Sequence, residues 1–209
     1  MSELTFKELF LKLLELEEQE HKHEKTIFVT QVLQCLRRSY IEIIKGVDIR
    51  YKLSKPLLIG SAIHKYVEYL INKYKDVLNL NIEAEKHVEF MHRGWRVVGR
   101  ADIVTDKEVW EIKVTSRTYK IPSLLHIAQA NLYAYLLNKD IIRIIYFRDN
   151  KIEEFIYQYT PRLIDMFFKR LNKLIDALEN NQLPEKEEDF WCSTCPYKYG
   201  CVYKKLSDY

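Results

Sequence analysis

The 209-residue chain holds only five glycines and five prolines. That scarcity excludes long flexible linkers and low-complexity tracts. No run approaches the roughly 18 uninterrupted apolar residues of a membrane-spanning helix. The opening residues, MSELTFKELFLKLLELEEQEHK, lack the basic start and apolar stretch of a secretion signal, so a cytoplasmic protein without a membrane partner is expected. There is no G-x(4)-G-K-[ST] loop and no G-x-S-x-G elbow, which removes ATP motors of the common type and α/β-hydrolase chemistry. A large excess of one charge is also missing: 33 Lys and Arg stand against 30 Asp and Glu, a net charge of +3. This balance permits a local basic groove for nucleic acid without requiring one. Four cysteines in such a chain read as metal ligands or core residues rather than disulfides.

The pattern that is present fits one domain over residues 1–209. Residues 3–20 repeat Leu and Phe at helical spacing. Thr30 can cap a helix through Lys45 that carries Cys35, so 1–45 reads as a helical entry with the first cysteine. Gly60 and Ser61 open a helix that carries His64 and Glu68. The segment EKHVEFMHRGWRVVGRADIVTDKEVWEIKVT then reads as a three-stranded meander broken at Arg93-Gly94 and at Thr105-Asp106-Lys107. Pro122 begins a helix with the face His126, Gln129, Tyr133. A hairpin follows around Asp149-Asn150, and Thr160-Pro161 opens a long helix. Residues 60–160 form the expected core and 184–209 a charged, cysteine-rich tail. The order of elements gives an α/β (mixed α+β) fold, a central mixed sheet flanked by helices.

Within GRADIVTDKEVWEIKVT, Asp102, Glu111 and Lys113 interrupt segments that otherwise build core. If Asp106-Lys107 is a two-residue turn, residues 105 and 108 pair and 102 falls opposite 111. Directly opposed residues share a face, about 5 Å apart at Cβ. Lys113, two residues past Glu111, shares it too, while Ile103 and Ile112 point into core. Two carboxylates so close repel unless a cation lies between them, and Mg²⁺ or Mn²⁺ suits carboxylate, water and phosphate oxygens. The residues alone equally fit a solvated edge hairpin in which Lys113 is a salt-bridge partner.

The string D-x(8)-E-x-K on consecutive strands resembles the core of the PD-(D/E)xK nuclease superfamily. GRAD followed by EIK is similar to its RecB-like branch. That branch also has a G-x(3)-H helix upstream, matched by Gly60 to His64, and a Q-x(3)-Y helix downstream, matched by Gln129 to Tyr133. The resemblance implies a divalent metal on His64, Asp102, Glu111 and the Ile112 carbonyl. Lys113 becomes the catalytic lysine beside Asp102 and Glu111, and Gln129 and Tyr133 either contact DNA or position Lys113. Glu68 reads as a neighbour of the metal set or as a surface residue.

The cysteines form the set Cys35, Cys192, Cys195 and Cys201. Four thiolates suit a [4Fe–4S] cluster, a [2Fe–2S] cluster or a Cys₄ zinc site, and Cys35 taken singly could be a buried core residue. One cysteine before the core and three after it resembles the iron–sulfur nucleases of the RecB-like group, in particular the four-cysteine CRISPR-associated exonucleases. That resemblance implies [4Fe–4S] over [2Fe–2S]. It also implies exonucleolytic cutting of single-stranded DNA ends, 5′ to 3′, and a place beside the CRISPR integrase proteins in spacer processing. Arg37, Arg38, Lys198 and Tyr199 are candidates to guide the strand. A stand-alone repair or viral nuclease and a non-catalytic DNA-binding module are the alternatives, and no pattern fixes the oligomeric state. His21, Lys22 and His23, with His87 and His92, are read as surface or strand residues.

Overall fold

The computed structural model describes residues 5–20, 24–46, 52–115, 122–148, 151–187, 192, 195–198 and 201. The HKH run at 21–23, the turn at Asp149-Asn150 and Tyr199 lie outside them. The centre is strand β3 (Trp95–Val104). It is joined to β2 (Glu83–His92) by a tight turn in which Arg93 (φ 51°) and Gly94 (φ 76°) are both left-handed. Two positive φ values give the turn the twist that antiparallel strands need. On the other side of β3 the partner changes along its length. Strand β1 (Thr26–Phe28) runs parallel beside its first half, with Thr26 to Phe28 opposite Arg96 to Val98. Strand β4 (Glu108–Val114) runs antiparallel beside its end, pairing Ile103 with Trp110 and Val104 with Val109. The register expected from a turn at Asp106-Lys107 therefore holds. Asp-Lys is a weak turn pair by itself; here Thr105 closes it, its N–H donating to the Glu108 carbonyl (2.9 Å) and its hydroxyl accepting from Glu108 N–H (3.0 Å).

Strand β5 (Ile141–Arg148) lies parallel to β4, and β6 (Lys151–Gln158) is antiparallel to β5, completing a mixed six-stranded sheet. The parallel β4–β5 pair needs a crossover, supplied by α5 (Leu124–Leu136), whose N-terminus is capped by the Ser123 hydroxyl. With α2 (Val29–Leu33) and α6 (Pro161–Glu179), α5 covers one sheet face, where Val97, Val109, Ile142, Ile144 and Tyr146 join Leu132, Phe167 and Leu171 in the main core. Helix α4 (Lys55–Tyr74) covers the other face, packing Val67 and Ile71 on Ile103, Ile112 and Ile145. The remaining helices are α1 (Phe6–Glu20) and α3 (Leu36–Lys45).

Two boundaries differ from the sequence expectation. The helix expected from Thr30 to Lys45 breaks at Gln34, and Cys35 is the N-cap of α3 rather than a helix-interior residue. The break is held from far away: the Glu187 carboxylate accepts the Leu36 N–H at 2.9 Å, doing the capping that the Cys35 side chain does not. Helix α4 starts at Lys55 behind Ser54, with Pro56 in its first turn, so Gly60 is interior to it.

Candidate active site

Strand β2 flanks β3 along its whole length, so β1 and β4 must both lie on its opposite side. Between Val98 and Ile103, no described strand pairs with β3 on that side. Side chains fill this fork. Tyr133 of α5 enters it and its hydroxyl receives the Arg100 N–H at 3.4 Å. Asp102 closes its other end, with Oδ2 accepting the Ile112 N–H at 2.6 Å. The fork explains the glycine of GRAD: a Cβ on Gly99 would sit 2.8 Å from the Tyr133 ring and 2.9 Å from Val29 Cγ2.

His64 of α4 reaches over the sheet and places Nδ1 3.1 Å from Asp102 Oδ1. Burial pulls the His64 imidazole down, but the Asp102 hydrogen bond and charge outweigh it and leave its pKa raised. On β4, Glu111 is only 1% exposed. Its Oε1 accepts from Lys113 Nζ at 2.5 Å, while Oε2 is buried with no hydrogen-bond partner. Burial, followed by the Asp102 charge, pushes Glu111 up to about 8 against the pull of Lys113. Lys113 also donates to Gln129 Oε1 at 3.2 Å, and Gln129 Nε2 donates to the Tyr133 hydroxyl at 3.3 Å. Thus one turn of α5 carries a relay from the fork to the lysine ammonium. His126, on the same side of α5, bonds the Tyr146 hydroxyl at 2.7 Å, and burial together with Lys113 lowers it to about 3.

The motif search missed Glu85. It faces Asp102 across the β2–β3 pair, between the Ala84–Ile103 and Lys86–Ala101 pairs, and its backbone is left-handed at φ 54°. A non-glycine residue in that conformation inside a strand is strained, and such strain concentrates at functional positions. His64, Glu85 and Asp102 bring one ligand atom each to within 4.8 Å of one another. Burial raises the Glu85 carboxyl, with Arg100 acting against it as its ion-pair partner. A signal existed: counting outward from Arg93-Gly94 puts 85 opposite 102, as counting from Asp106-Lys107 puts 111 there. Glu68 pairs with Lys65 at 3.0 Å, and its charge also acts on Glu85, raising that carboxyl.

The four cysteines are all free thiols and half-buried. Cys195 is raised first by burial, and the thiols of Cys35 and Cys201 act on it in the same direction, so three of the four are electrostatic neighbours. The Cys195 N–H donates to the Cys192 carbonyl at 3.4 Å. Arg37, considered as a strand guide, is committed internally, with Nε on the Pro184 carbonyl (2.8 Å) and Nη1 on the Cys201 carbonyl (3.1 Å). Arg38 pairs with Glu42 at 2.7 Å. Neither arginine is a free surface cation, and Arg37 ties the tail to α3.

A carboxylate pair, a histidine and a lysine are gathered where the mixed sheet splits, and His64, Glu85 and Asp102 form a donor set of the kind that suits a divalent ion. The sequence profile of the PD-(D/E)XK nuclease superfamily matches residues 65–202, and the chain belongs to that superfamily. It is 26% identical over 195 residues to the CRISPR-associated exonuclease Cas4 of Saccharolobus solfataricus, covering 88% of this chain and 90% of that protein. In fold it is similar to the crystal structure of SSO0001, with a TM-score of 0.74 and 23% identity over 95% of this chain and 96% of that one. It is also similar in fold to an alkaline exonuclease from Laribacter hongkongensis, with a TM-score of 0.51 and 9% identity over 75% and 89% of the two chains. The protein is a nuclease.

Proposed function

We propose that the protein is a divalent-metal-dependent deoxyribonuclease that degrades single-stranded DNA from its ends, 5′ to 3′. The observation that carries the metal reading is the buried, unpartnered Oε2 of Glu111 next to the Asp102–His64 pair. A buried carboxylate oxygen without a donor is costly, and a bound cation removes that cost. Superfamily members use divalent metals. His64, Glu85 and Asp102 already gather their ligand atoms within 4.8 Å of one another, and Glu111 with the Ile112 carbonyl would complete the set that holds Mg²⁺ or Mn²⁺. The ion would polarise the scissile phosphate and supply a nucleophilic water at neutral pH.

The chain's own groups account for the rest. Asp102 fixes the Ile112 peptide through its N–H, which orients the carbonyl on the other side of that residue. Lys113 Nζ is held between Glu111 and Gln129, where it would meet the attacking water and the charged phosphate. Of the two roles considered for Gln129 and Tyr133, positioning Lys113 is favoured by their geometry, since both are buried and bonded in series to it.

The cysteine set is proposed to carry an iron–sulfur cluster, [4Fe–4S] in preference to [2Fe–2S]. The neighbouring thiols of Cys35, Cys195 and Cys201, with Cys192 bonded through backbone to Cys195, support it. The cluster would tie the tail to α3 and close a long loop. Similarity to a CRISPR-associated exonuclease supports a role in trimming spacer precursors beside the integrase proteins.

Single-stranded DNA labelled at either end, incubated with Mn²⁺, tests the activity. Mononucleotides released first from the 5′-labelled end are expected, with no cleavage by the Asp102→Ala, Glu111→Ala and Lys113→Ala variants. Equal cleavage by wild type and all three variants would reduce the protein to a DNA-binding module. Release from the 3′ end would reverse the polarity. Colourless, zinc-only protein from aerobic purification would remove the cluster.

A further inference from the structure

Helix α4 delivers His64 from its inner side, but its outer side is unlike an ordinary solvated face. Tyr66 and Tyr69 are 62% and 53% exposed. Their rings lie 6.5 Å apart and 21° from parallel. Lys73, one turn further on, donates to the Tyr69 hydroxyl at 3.0 Å and stands over both the Tyr69 ring (5.3 Å) and the Tyr74 ring (5.1 Å). Spacings of three and four residues put Tyr66, Tyr69 and Lys73 in one line along the helix, and Lys55 falls on the same line about three turns before Tyr66. A contiguous row of exposed aromatic rings is the kind of surface that marks an interaction site.

The geometry points to a stacking rail for single-stranded DNA along this outer face, leading the strand toward the His64 end of the site. The inference rests on the reading of the protein as a single-strand nuclease and says where the strand lies outside the metal site. Charge complementarity selects the occupant. The only carboxylate of α4 is Glu68, already paired with Lys65, whereas Lys55, Lys65 and Lys73 are all cationic. Among the described residues, Lys73 is held by phenols rather than neutralised by a carboxylate, so its charge remains available to phosphate. Flat exposed rings beside unneutralised lysines are the combination by which proteins hold single strands without reading sequence: bases stack on rings while ammonium groups track the backbone. The rail and the site share one helix, Tyr66 standing on the outer side of the turn that carries His64 on its inner side, so the strand has to pass round α4 to reach the reacting phosphate.

The test separates rail from site. Fluorescence anisotropy with an oligothymidylate of roughly 15 nucleotides, without divalent metal, measures binding. A chromogenic thymidine 5′-phosphodiester, which reaches only the metal site, measures catalysis with Mn²⁺. The double variant Tyr66→Ala/Tyr69→Ala is expected to bind the oligonucleotide about tenfold or more weakly, to hydrolyse the small diester at the wild-type rate and to keep its melting temperature. Tyr66→Phe/Tyr69→Phe retains the rings and should bind like wild type. Lys73→Gln should reduce the salt dependence of binding by about 0.7 in the log–log slope. Unchanged oligonucleotide affinity in the double alanine variant overturns the rail. So does a shift of that variant alone to a smaller mass in solution, which would make this face a contact between copies. Wild-type protein that hydrolyses neither substrate overturns the nuclease reading itself.

Discussion

Charge is treated in opposite ways at two places in this molecule. Beside the cysteine-bearing tail, half-buried Arg170 makes four hydrogen bonds: Nε on the Val32 carbonyl, Nη2 on the Gln34 carbonyl, and both terminal nitrogens on Glu187 at 2.8 and 3.1 Å. Glu187 in turn caps α3 through Leu36. At the fork, Glu111 leaves its buried Oε2 without a hydrogen bond, and Glu85 is balanced only by the ion pair with Arg100. Closed networks give rigidity, and an open one stores unmet electrostatic need for something that arrives later. The difference teaches that stability and chemistry should respond oppositely to substitution at the two places.

The largest separation is expected from Lys113→Ala and Glu111→Gln. Each should lower cleavage by about 10²–10³-fold or more. Glu111→Gln, which removes a buried carboxyl raised to about 8, should leave the metal-free melting temperature equal or higher. Arg170→Ala should do the reverse, costing about 2–3 kcal/mol because it strips the partner from Glu187 and two carbonyls. Calorimetry beside a cleavage assay would blur the comparison if both substitutions moved both readouts together.

A pH series sharpens the same contrast. Glu111 has an ordinary value of 4.5 and is pushed to about 8 in the fold. The metal-free folded state therefore holds its proton more tightly than the unfolded chain. That contribution is fully present below 4.5 and is lost as pH rises through 8. The melting temperature without metal should fall across this window, and Glu111→Gln should flatten the fall.

The two motif glycines offer a smaller test. Gly99→Ala forces a Cβ against the Tyr133 ring at 2.8 Å, so a loss of about 1–3 kcal/mol and weaker cleavage through the Gln129–Lys113 relay are expected. At Gly60 a Cβ meets nothing within 4 Å. Gly60→Ala should stabilise α4 by up to about 1 kcal/mol. If it nevertheless lowers cleavage, the substrate backbone passes over that position.

What could be read from the chain alone follows the range of the interactions. The Asp102–Glu111 register was legible because it depends on one turn, closed locally by Thr105. Gln129 and Tyr133 were legible as a pair, being one turn apart, but not their series connection to Lys113, which needs the fold. Glu85 was hidden because its segment carries no motif and its significance appears only across a second turn. The internal hydrogen bonds of Arg37, a strand-guide candidate, were hidden because its partners lie 147 and 164 residues away. The break before Cys35 has the same cause: the carboxylate that caps α3 is 151 residues downstream.

The central claim is that the open carboxylate of Glu111 at the fork awaits a divalent ion. Calorimetric titration of the wild type with Mn²⁺ at pH 7, in buffers of different ionisation heat, tests it most directly. Saturable binding with release of about one proton, from the carboxyl of Glu111, is the predicted result. Glu111→Gln should bind more weakly and release none, and Arg170→Ala should bind as wild type at a temperature where it stays folded. Mn²⁺ binding that is absent, or identical in wild type, Glu111→Gln and Asp102→Ala, would contradict the account.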